Sequence, residues 1–534
     1  MAWTRAIGVG LRALLARRIR SLSKTSMWGQ QADRVQMRQL RWLLEHAAET
    51  EFGRNAQFGR LKRLPDEDML HGFRQEVPVQ SYAQLKPMLE RMRQDGEPNV
   101  TWPGVVMDWA QTSGTTAGDK FVPISSEMLR HNSKAALDIY AYASMFGASI
   151  PDIFAGQVLF LGGSTSLDVN EHGVRTGDLS GVVTRLIRWP VTKVWLPGKD
   201  IALESDWPTK IDRMARRCMN EDVRWISGMP SWSIVLFEHM AKLANDSGRK
   251  VTCLHDLWPN LRLFVHGGVK YGPFERRVRE MWSGDPEGDD IPMRLEVYAA
   301  SEAFVASQDV RHDPGMRLNI DHQIHYEFIP LSEIESDNPP AFDCSRVERG
   351  ERYVVVMSTC GGLWRYNIGD VVEFDTIPPD GPPRLRIVGR SRHFMNAFGE
   401  NIIAEHIENA VTAAAEEISV RVGEFTAAPV YPAGETAARV ELLIEWDDAS
   451  PTMVDQFATT FDAAIKRQNN DYTAKRAGDV GMAPPIVTPV PMGAFHRWLA
   501  ARGKLGGQHK CPRCANDRSI LEDVAAHAAP ASAV

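Results

Sequence analysis

LRLFVHGGV, from Leu261 to Val269, sets a nearly unbroken apolar run against a pair of glycines, and this pattern decides the fold class. A run this short and this apolar reads as a strand buried on both faces, and the glycines after it read as a tight loop. The same pattern stands at QVLFLGGST from Gln157, VRWISGMPS from Val223 and MRLEVYAASE from Met293, with helical patterns between the runs. Strands alternating with helices predict an α/β domain with a mostly parallel sheet. Ligands of such sheets sit beyond the carboxyl ends of the strands, so the loops after these runs should converge on one cleft.

Further along, GERYVVVMSTCGGLWRYNIGDVVEFD from Gly350 reads as closely spaced strands and turns, closed by the breaker TIPPDGPP before RLRIVGR. This predicts a β subdomain of the same large domain. From Phe398 a helical stretch, two strands around Val420 and Val440 and a second helical stretch, DQFATTFDAAIKRQ, predict a smaller α+β domain. The boundary falls near Arg390, giving a large domain at 1–389 and a small one at 390–534. A chain of 534 residues exceeds what one hydrophobic core usually supports, in keeping with two domains.

Charge excludes one class of partner. Lys plus Arg number 61 against 68 for Asp plus Glu, so no global basic field exists for nucleic acid. The six cysteines are scattered, which suits a reducing cytoplasm and no structural disulfides. The first 24 residues carry Arg5, Arg12, Arg17, Arg18, Arg20 and Lys24 and no acid. Their apolar stretches fall far short of the ~20 residues that span a bilayer. They read as a solvated first helix rather than as a membrane-surface element.

The chemistry concentrates in QTSGTTAGDK, Gln111–Lys120, where hydroxyls and glycines alternate before a lysine. Glycines let backbone N–H groups approach phosphate oxygens, hydroxyls add hydrogen bonds and a lysine adds a compact positive charge. It is not a Walker loop, because three residues separate Gly114 from Gly118 and Asp119 precedes the lysine. SGTTAGDK resembles the phosphate loop of the acyl-adenylate-forming superfamily, and the other superfamily motifs follow in order. YAASE, Tyr298–Glu302, resembles its aromatic-x-x-Ser/Thr-Glu motif, WRYNIGDVVEF its ribose-binding Gly-Asp, and GRSRHFMNAFGEN from Gly389 its hinge.

Within that superfamily the chain resembles the Gretchen Hagen family of auxin-responsive acyl-acid amido synthetases over most of its length. TSGTTAGDKFVPIS, ISGMPSW from Ile226 and GKLGGQHKCPR from Gly503 carry the likeness. The resemblance implies nucleotide binding by Ser113, Gly114, Thr115, Thr116, Gly118, Lys120, Gly268, Tyr298, Ser301, Asp370 and Arg390. It implies Mg²⁺ on Glu302, which suits a hard cation that takes carboxylate oxygen. Met229, Ser231 and Phe304, with Trp232 beside them, become acyl-pocket candidates, core packing being the bland alternative. Lys510 becomes the catalytic lysine, with Lys504 its competitor.

Two departures stand out. Arg392 or a neighbour replaces the usual hinge Asp or Lys, and Asn401 stands where relatives carry a lysine. Cys511 and Cys514, with His509 nearby, could suggest zinc, but no second cysteine pair completes a four-ligand site. The resemblance thus implies ATP and Mg²⁺, a carboxylic acid and an amino acid as partners, and a ligase that adenylates the acid and passes its acyl group to an amine. An acyl-CoA synthetase and a catalytically silent nucleotide-binding scaffold are the rivals.

Overall fold

The computed structural model describes residues 2–112, 120–162, 167–187, 189, 191–204, 206–268, 271–334, 336, 338–390, 394–395, 402–430, 438–469, 472–473, 476, 482–504, 510–515 and 518–528. In chain order the strands are β1 (Asp108–Thr112), β2 (Lys120–Ile124), β3 (Gln157–Leu161), β4 (Asp168–Val169), β5 (Arg175–Gly177), β6 (Trp195–Leu196), β7 (Val223–Gly228), β8 (Leu263–Gly267), β9 (Arg294–Ala299) and β10 (Phe304–Gln308). They continue with β11 (Met316–Leu318), β12 (Ile324–Pro330), β13 (Arg352–Thr359), β14 (Tyr366–Thr376), β15 (Arg384–Arg390), β16 (Phe394–Met395), β17 (Ile402–Ile403), β18 (Phe425–Val430), β19 (Arg439–Glu445) and β20 (Ile486–Val490). The chain divides into two compact units, one holding 1–368, 372–387 and 506–508, the other 369–371, 388–505 and 509–534.

The four apolar runs are β3, β7, β8 and β9. They pair in parallel in the order β9-β8-β7-β3, as their uniform hydrophobicity requires of strands covered on both faces. Gly267 ends β8 because nothing larger fits: a Cβ there would lie 2.3 Å from the Val297 carbonyl oxygen of the neighbouring strand. The strands after Gly350 are also present, and the structure joins them to the parallel strands. β9 turns back antiparallel into β10, β10 pairs β11, and β11 pairs β15, so one eleven-stranded sheet runs β12-β13-β14-β15-β11-β10-β9-β8-β7-β3-β6. The sheet is therefore mixed, its parallel half carrying the α/β crossovers and its antiparallel half the β subdomain.

The antiparallel half is covered by the amphipathic helix Ala32–Ala47, which buries Val35, Leu40, Leu43 and Leu44. The buried Gln36 amide locks this helix to β12. It donates to the Ile320 and Ile324 carbonyls at 2.8 and 3.0 Å and accepts from the Tyr326 N–H at 2.8 Å, which leaves no buried amide atom unpaired.

The first helix, Ala2–Leu22, is not a freely solvated element. Leu15 and Leu22 enter a core shared with Ile139, Ile150 and Trp225. Arg18 turns inward to Asp138 at 2.6 Å and Asp321 at 2.7 Å. Composition alone hides this, because one inward arginine with buried carboxylates looks the same in sequence as an outward one.

In the second unit β18, β19 and β20 form a three-stranded sheet, β19 pairing β18 antiparallel and β20 in parallel. Helices Ala404–Glu417 and Pro451–Gln468 share a core with Ala427, Leu442 and Ile444. Helices Ala494–Ala501 and Ser519–Ala526 share another with Ala428 and Leu443, so alternate residues of the strands face alternate layers.

Candidate functional site

In the first unit the carboxyl ends of the parallel strands share one edge. There Leu161 of β3 lies beside Gly228 of β7, and Gly267 of β8 beside Val297 of β9. Gly268 follows β8 with φ +81°, a left-handed conformation that glycine takes without strain. On the next strand Tyr298 is buried, and beyond it the turn Ala300–Ala303 carries Ser301 and Glu302, both buried. Among the described residues the Ser301 hydroxyl has no hydrogen-bond partner. A carboxylate and an unpaired hydroxyl held together at the ligand edge of a sheet are oxygen donors of the kind a hard cation and phosphate groups require.

The motif Gln111–Lys120 connects β1 to β2, an antiparallel pair in register from Asp108–Ile124 to Thr112–Lys120. Ser113, Gly114, Thr115, Thr116 and Gly118 lie outside the described residues. Lys120 opens β2, and its Nζ stands 5.7 Å from the Tyr82 ring centroid, a cation–π contact. The Tyr82 hydroxyl accepts the Phe121 N–H at 2.8 Å. Burial raises the Tyr82 pKa, and the Glu302 carboxylate adds a smaller push in the same direction. Tyr82 therefore holds the start of the strand that leaves the glycine-rich motif, a contact that no spacing in the sequence announces.

His131 makes a second link. It lies on the helix Ser126–Met145, which follows β2, and its Nε2 accepts the Phe304 N–H at 2.7 Å while Nδ1 donates to the His322 carbonyl at 2.7 Å. Burial lowers its pKa to about 3, so the neutral ring keeps one acceptor and one donor. Phe304 closes the Ser301–Glu302 turn, so His131 positions that turn against the helix. We expect His131→Leu to cost ~1–3 kcal/mol of stability through the orphaned Phe304 N–H. It should also cut kcat/KM for ATP about tenfold, and His131→Gln, which offers both an acceptor and a donor, should recover most of each loss. Pyrophosphate release against ATP concentration, beside thermal unfolding, checks both. Because the folded value lies below the ordinary 6.5, the unfolded chain gains a proton first as pH falls, and the stability His131 contributes is lost on acidification from 6.5 toward 3.

Asp370 is buried in β14, directly after Gly369, whose φ is +84°. A Gly-Asp pair in sequence suggests a tight turn before the carboxylate. The structure instead has a left-handed glycine inside a long strand, which interrupts the pleat at that point. Met229 caps the helix Pro230–Asp246 after β7 and is half-buried, as is Phe304. The side chains of Ser231 and Arg390 lie outside the described residues, as do Arg392 and Asn401 of the hinge motif.

In the second unit Lys510 is exposed, and the segment after it is anchored. The Thr426 hydroxyl donates to the Pro512 carbonyl at 2.6 Å, the Ala427 N–H to the Arg513 carbonyl at 2.9 Å and the Ala515 N–H to the Ala427 carbonyl at 3.1 Å. Residues 513–515 thus extend the sheet at the edge of β18. Arg513 pairs with Glu424 at 2.5 Å and stacks on Phe425 at 4.3 Å. Lys504 is half-buried at the end of the helix Ala494–Ala501. Cys511 and Cys514 enter different cores on opposite faces of the sheet, and burial pushes the Cys511 thiol up to about 12. Their side chains do not converge on one ion.

The GH3 family N-terminal domain matches residues 21–200, the GH3 family central domain 318–390 and the GH3 family C-terminal domain 405–519. The chain is 23% identical over 570 residues to a protein of Arabidopsis thaliana described as probable indole-3-acetic acid-amido synthetase GH3.1, spanning 92% of this chain and 90% of that one. Among solved structures it is similar to AtGH3.15 acyl acid amido synthetase in complex with 2,4-DB, with TM-score 0.75 and 18% identity over 98% of this chain and 97% of that one. It is also similar to 2-hydroxyisobutyryl-CoA ligase in the postadenylation state, with TM-score 0.56 and 15% identity over 92% and 91%. At these identities the structural likenesses speak for the fold alone.

Proposed function

Since this chain belongs to the GH3 family, we propose that it is an ATP-dependent ligase that activates a carboxylic acid as its acyl-adenylate and transfers the acyl group to the amine of an amino acid. In the first half-reaction a carboxylate oxygen attacks the α-phosphorus of ATP, and the bond to the β-phosphate breaks to release pyrophosphate. In the second the amine attacks the carbonyl carbon, the bond to AMP breaks and the nitrogen loses a proton. Relatives described as amido synthetases support the amide outcome.

The observation that carries this reading is the buried Ser301–Glu302 turn that follows Tyr298 at the carboxyl edge of the parallel strands, with Gly268 directly after the neighbouring strand. Ser113, Thr115, Thr116 and Lys120, with the glycines Gly114 and Gly118, hold the phosphates, Tyr298 stacks on adenine and Asp370 accepts the ribose hydroxyls. Mg²⁺ fits Glu302, because this ion is commonly held by one or two carboxylates plus substrate phosphates, and when bound it neutralises phosphate charge. Met229, Ser231 and Phe304 border the acid. Residues 1–389 form the adenylating domain. Residues 390–534 form a mobile domain that brings Lys510 to the α-phosphate and, by rotation near Arg390, withdraws it for the second step.

Hydroxylamine, which captures acyl-adenylates as hydroxamates, tests the first half-reaction across aryl, indole and aliphatic acids. ATP-dependent hydroxamate from at least one acid is expected. ATP binding without hydroxamate or pyrophosphate from any of them would leave a silent scaffold in its place.

A further inference from the structure

We infer that the outer face of the first helix is a docking surface for an anionic lipid bilayer, a property independent of the catalytic reading. The helix Ala2–Leu22 has two dissimilar sides. Leu11, Leu15, Arg18 and Leu22 are turned into the first unit, and Gly8 lets the helix approach Pro151 so closely that a Cβ would lie 2.7 Å from its Cα. The helix is thus fixed to the body of the protein.

The opposite side interleaves small apolar residues with basic ones. Ala6, Val9, Gly10, Ala13 and Ala16 recur at helical spacing and are exposed, with Leu14 beside them. Val9 is 56% and Leu14 70% accessible. Arg5 and Arg12 border this stripe on one side, Arg17 and Arg20 lie within it, and Lys24 follows the end of the helix. All five are exposed, and Ala2–Leu22 contains no acid. Arg5 pairs with Asp152, whereas among the described residues Arg12, Arg17, Arg20 and Lys24 have no carboxylate partner.

A local excess of four cations in a chain whose net charge is −7 is a charge arrangement directed at an anionic partner. The exposed aliphatic stripe chooses among anionic partners. Against a nucleic-acid backbone Val9 and Leu14 would meet charge and water. At a bilayer they sink into the headgroup boundary while the interleaved arginines reach phosphates. A second exposed apolar group issues from the same core: Val194, which packs in the cluster with Leu15 and Leu22, follows a segment in which Trp189 is 74% and Val191 45% accessible and Lys193 is exposed. Tryptophan, like tyrosine, is enriched at membrane interfaces.

Co-sedimentation of the full chain with vesicles tests this. Binding is expected to vesicles of phosphatidylcholine mixed with phosphatidylglycerol, to be far weaker with phosphatidylcholine alone, and to fall as salt rises. Replacing Arg12, Arg17 and Arg20 together by glutamine should lower the partition coefficient roughly a hundredfold, about fivefold per cation. Leu14→Asp should lower it even at low salt. These side chains lie outside the catalytic assignments, so unchanged pyrophosphate release certifies that each variant is folded. Equal binding to neutral and anionic vesicles, or no loss in the triple variant, would overturn the inference. So would retention by a DNA duplex in preference to vesicles, or a change of oligomeric state in the same variants, which would assign the face to a polyanion or to a second copy.

Discussion

Lys510→Ala is expected to slow acyl-adenylate formation by ~10²–10³-fold, while transfer from supplied acyl-adenylate to an amino acid stays within a few-fold of the parent rate. The asymmetry follows from when charge develops. Negative charge on the α-phosphate and the attacking carboxylate peaks during displacement of pyrophosphate, and a lysine placed there acts on that transition state alone. Lys510 is exposed and immediately precedes a segment anchored to β18 through Thr426 and Ala427 and clamped by the Arg513–Glu424 pair. Lys504, set at the end of a helix, should tolerate alanine with less than a tenfold loss. Separate assays of pyrophosphate release and of transfer from synthetic acyl-adenylate decide the matter. Equal loss in both half-reactions would remove Lys510 from the first step.

Glu302→Gln should reduce ATP–pyrophosphate exchange about a hundredfold, or ~2.7 kcal/mol, and raise the Mg²⁺ concentration needed for half-maximal exchange. The substitution keeps shape and removes charge. Since Glu302 is buried in the turn that His131 positions through Phe304, the variant should retain the parent thermal midpoint within a few degrees, separating ligation from folding. Exchange titrated against Mg²⁺ reads this directly. An unchanged Mg²⁺ dependence with a lowered maximum would assign Glu302 a role other than holding the ion.

How much of this was legible beforehand differs by kind of residue. The parallel strands were readable, because strands buried on both faces are uniformly apolar and QVLFL, LFVHG and RLEVYA sit where the structure places β3, β8 and β9. The union of both β regions in one sheet was not, since the β11–β15 pairing joins Met316 and Arg317 to Leu385 and Arg384, about seventy residues away. Motif residues were nameable because their chemistry demands particular side-chain types. Tyr82, His131 and the inward Arg18 carry no such signature, because they act through long-range hydrogen bonds or ion pairs. β20 was also missed: IVTPV is short and contains a proline, which argues against a strand except at an edge, and β20 is an edge strand.

The central claim, acyl transfer to an amine, is tested most directly by incubating the enzyme with ATP, Mg²⁺ and an acid that yields hydroxamate. AMP release would be followed with pooled amino acids or with CoA, and the products identified by mass. The account predicts faster AMP release with amino acids and an N-acyl amino acid as product. Acceleration by CoA alone, with an acyl thioester and no amide, would contradict it.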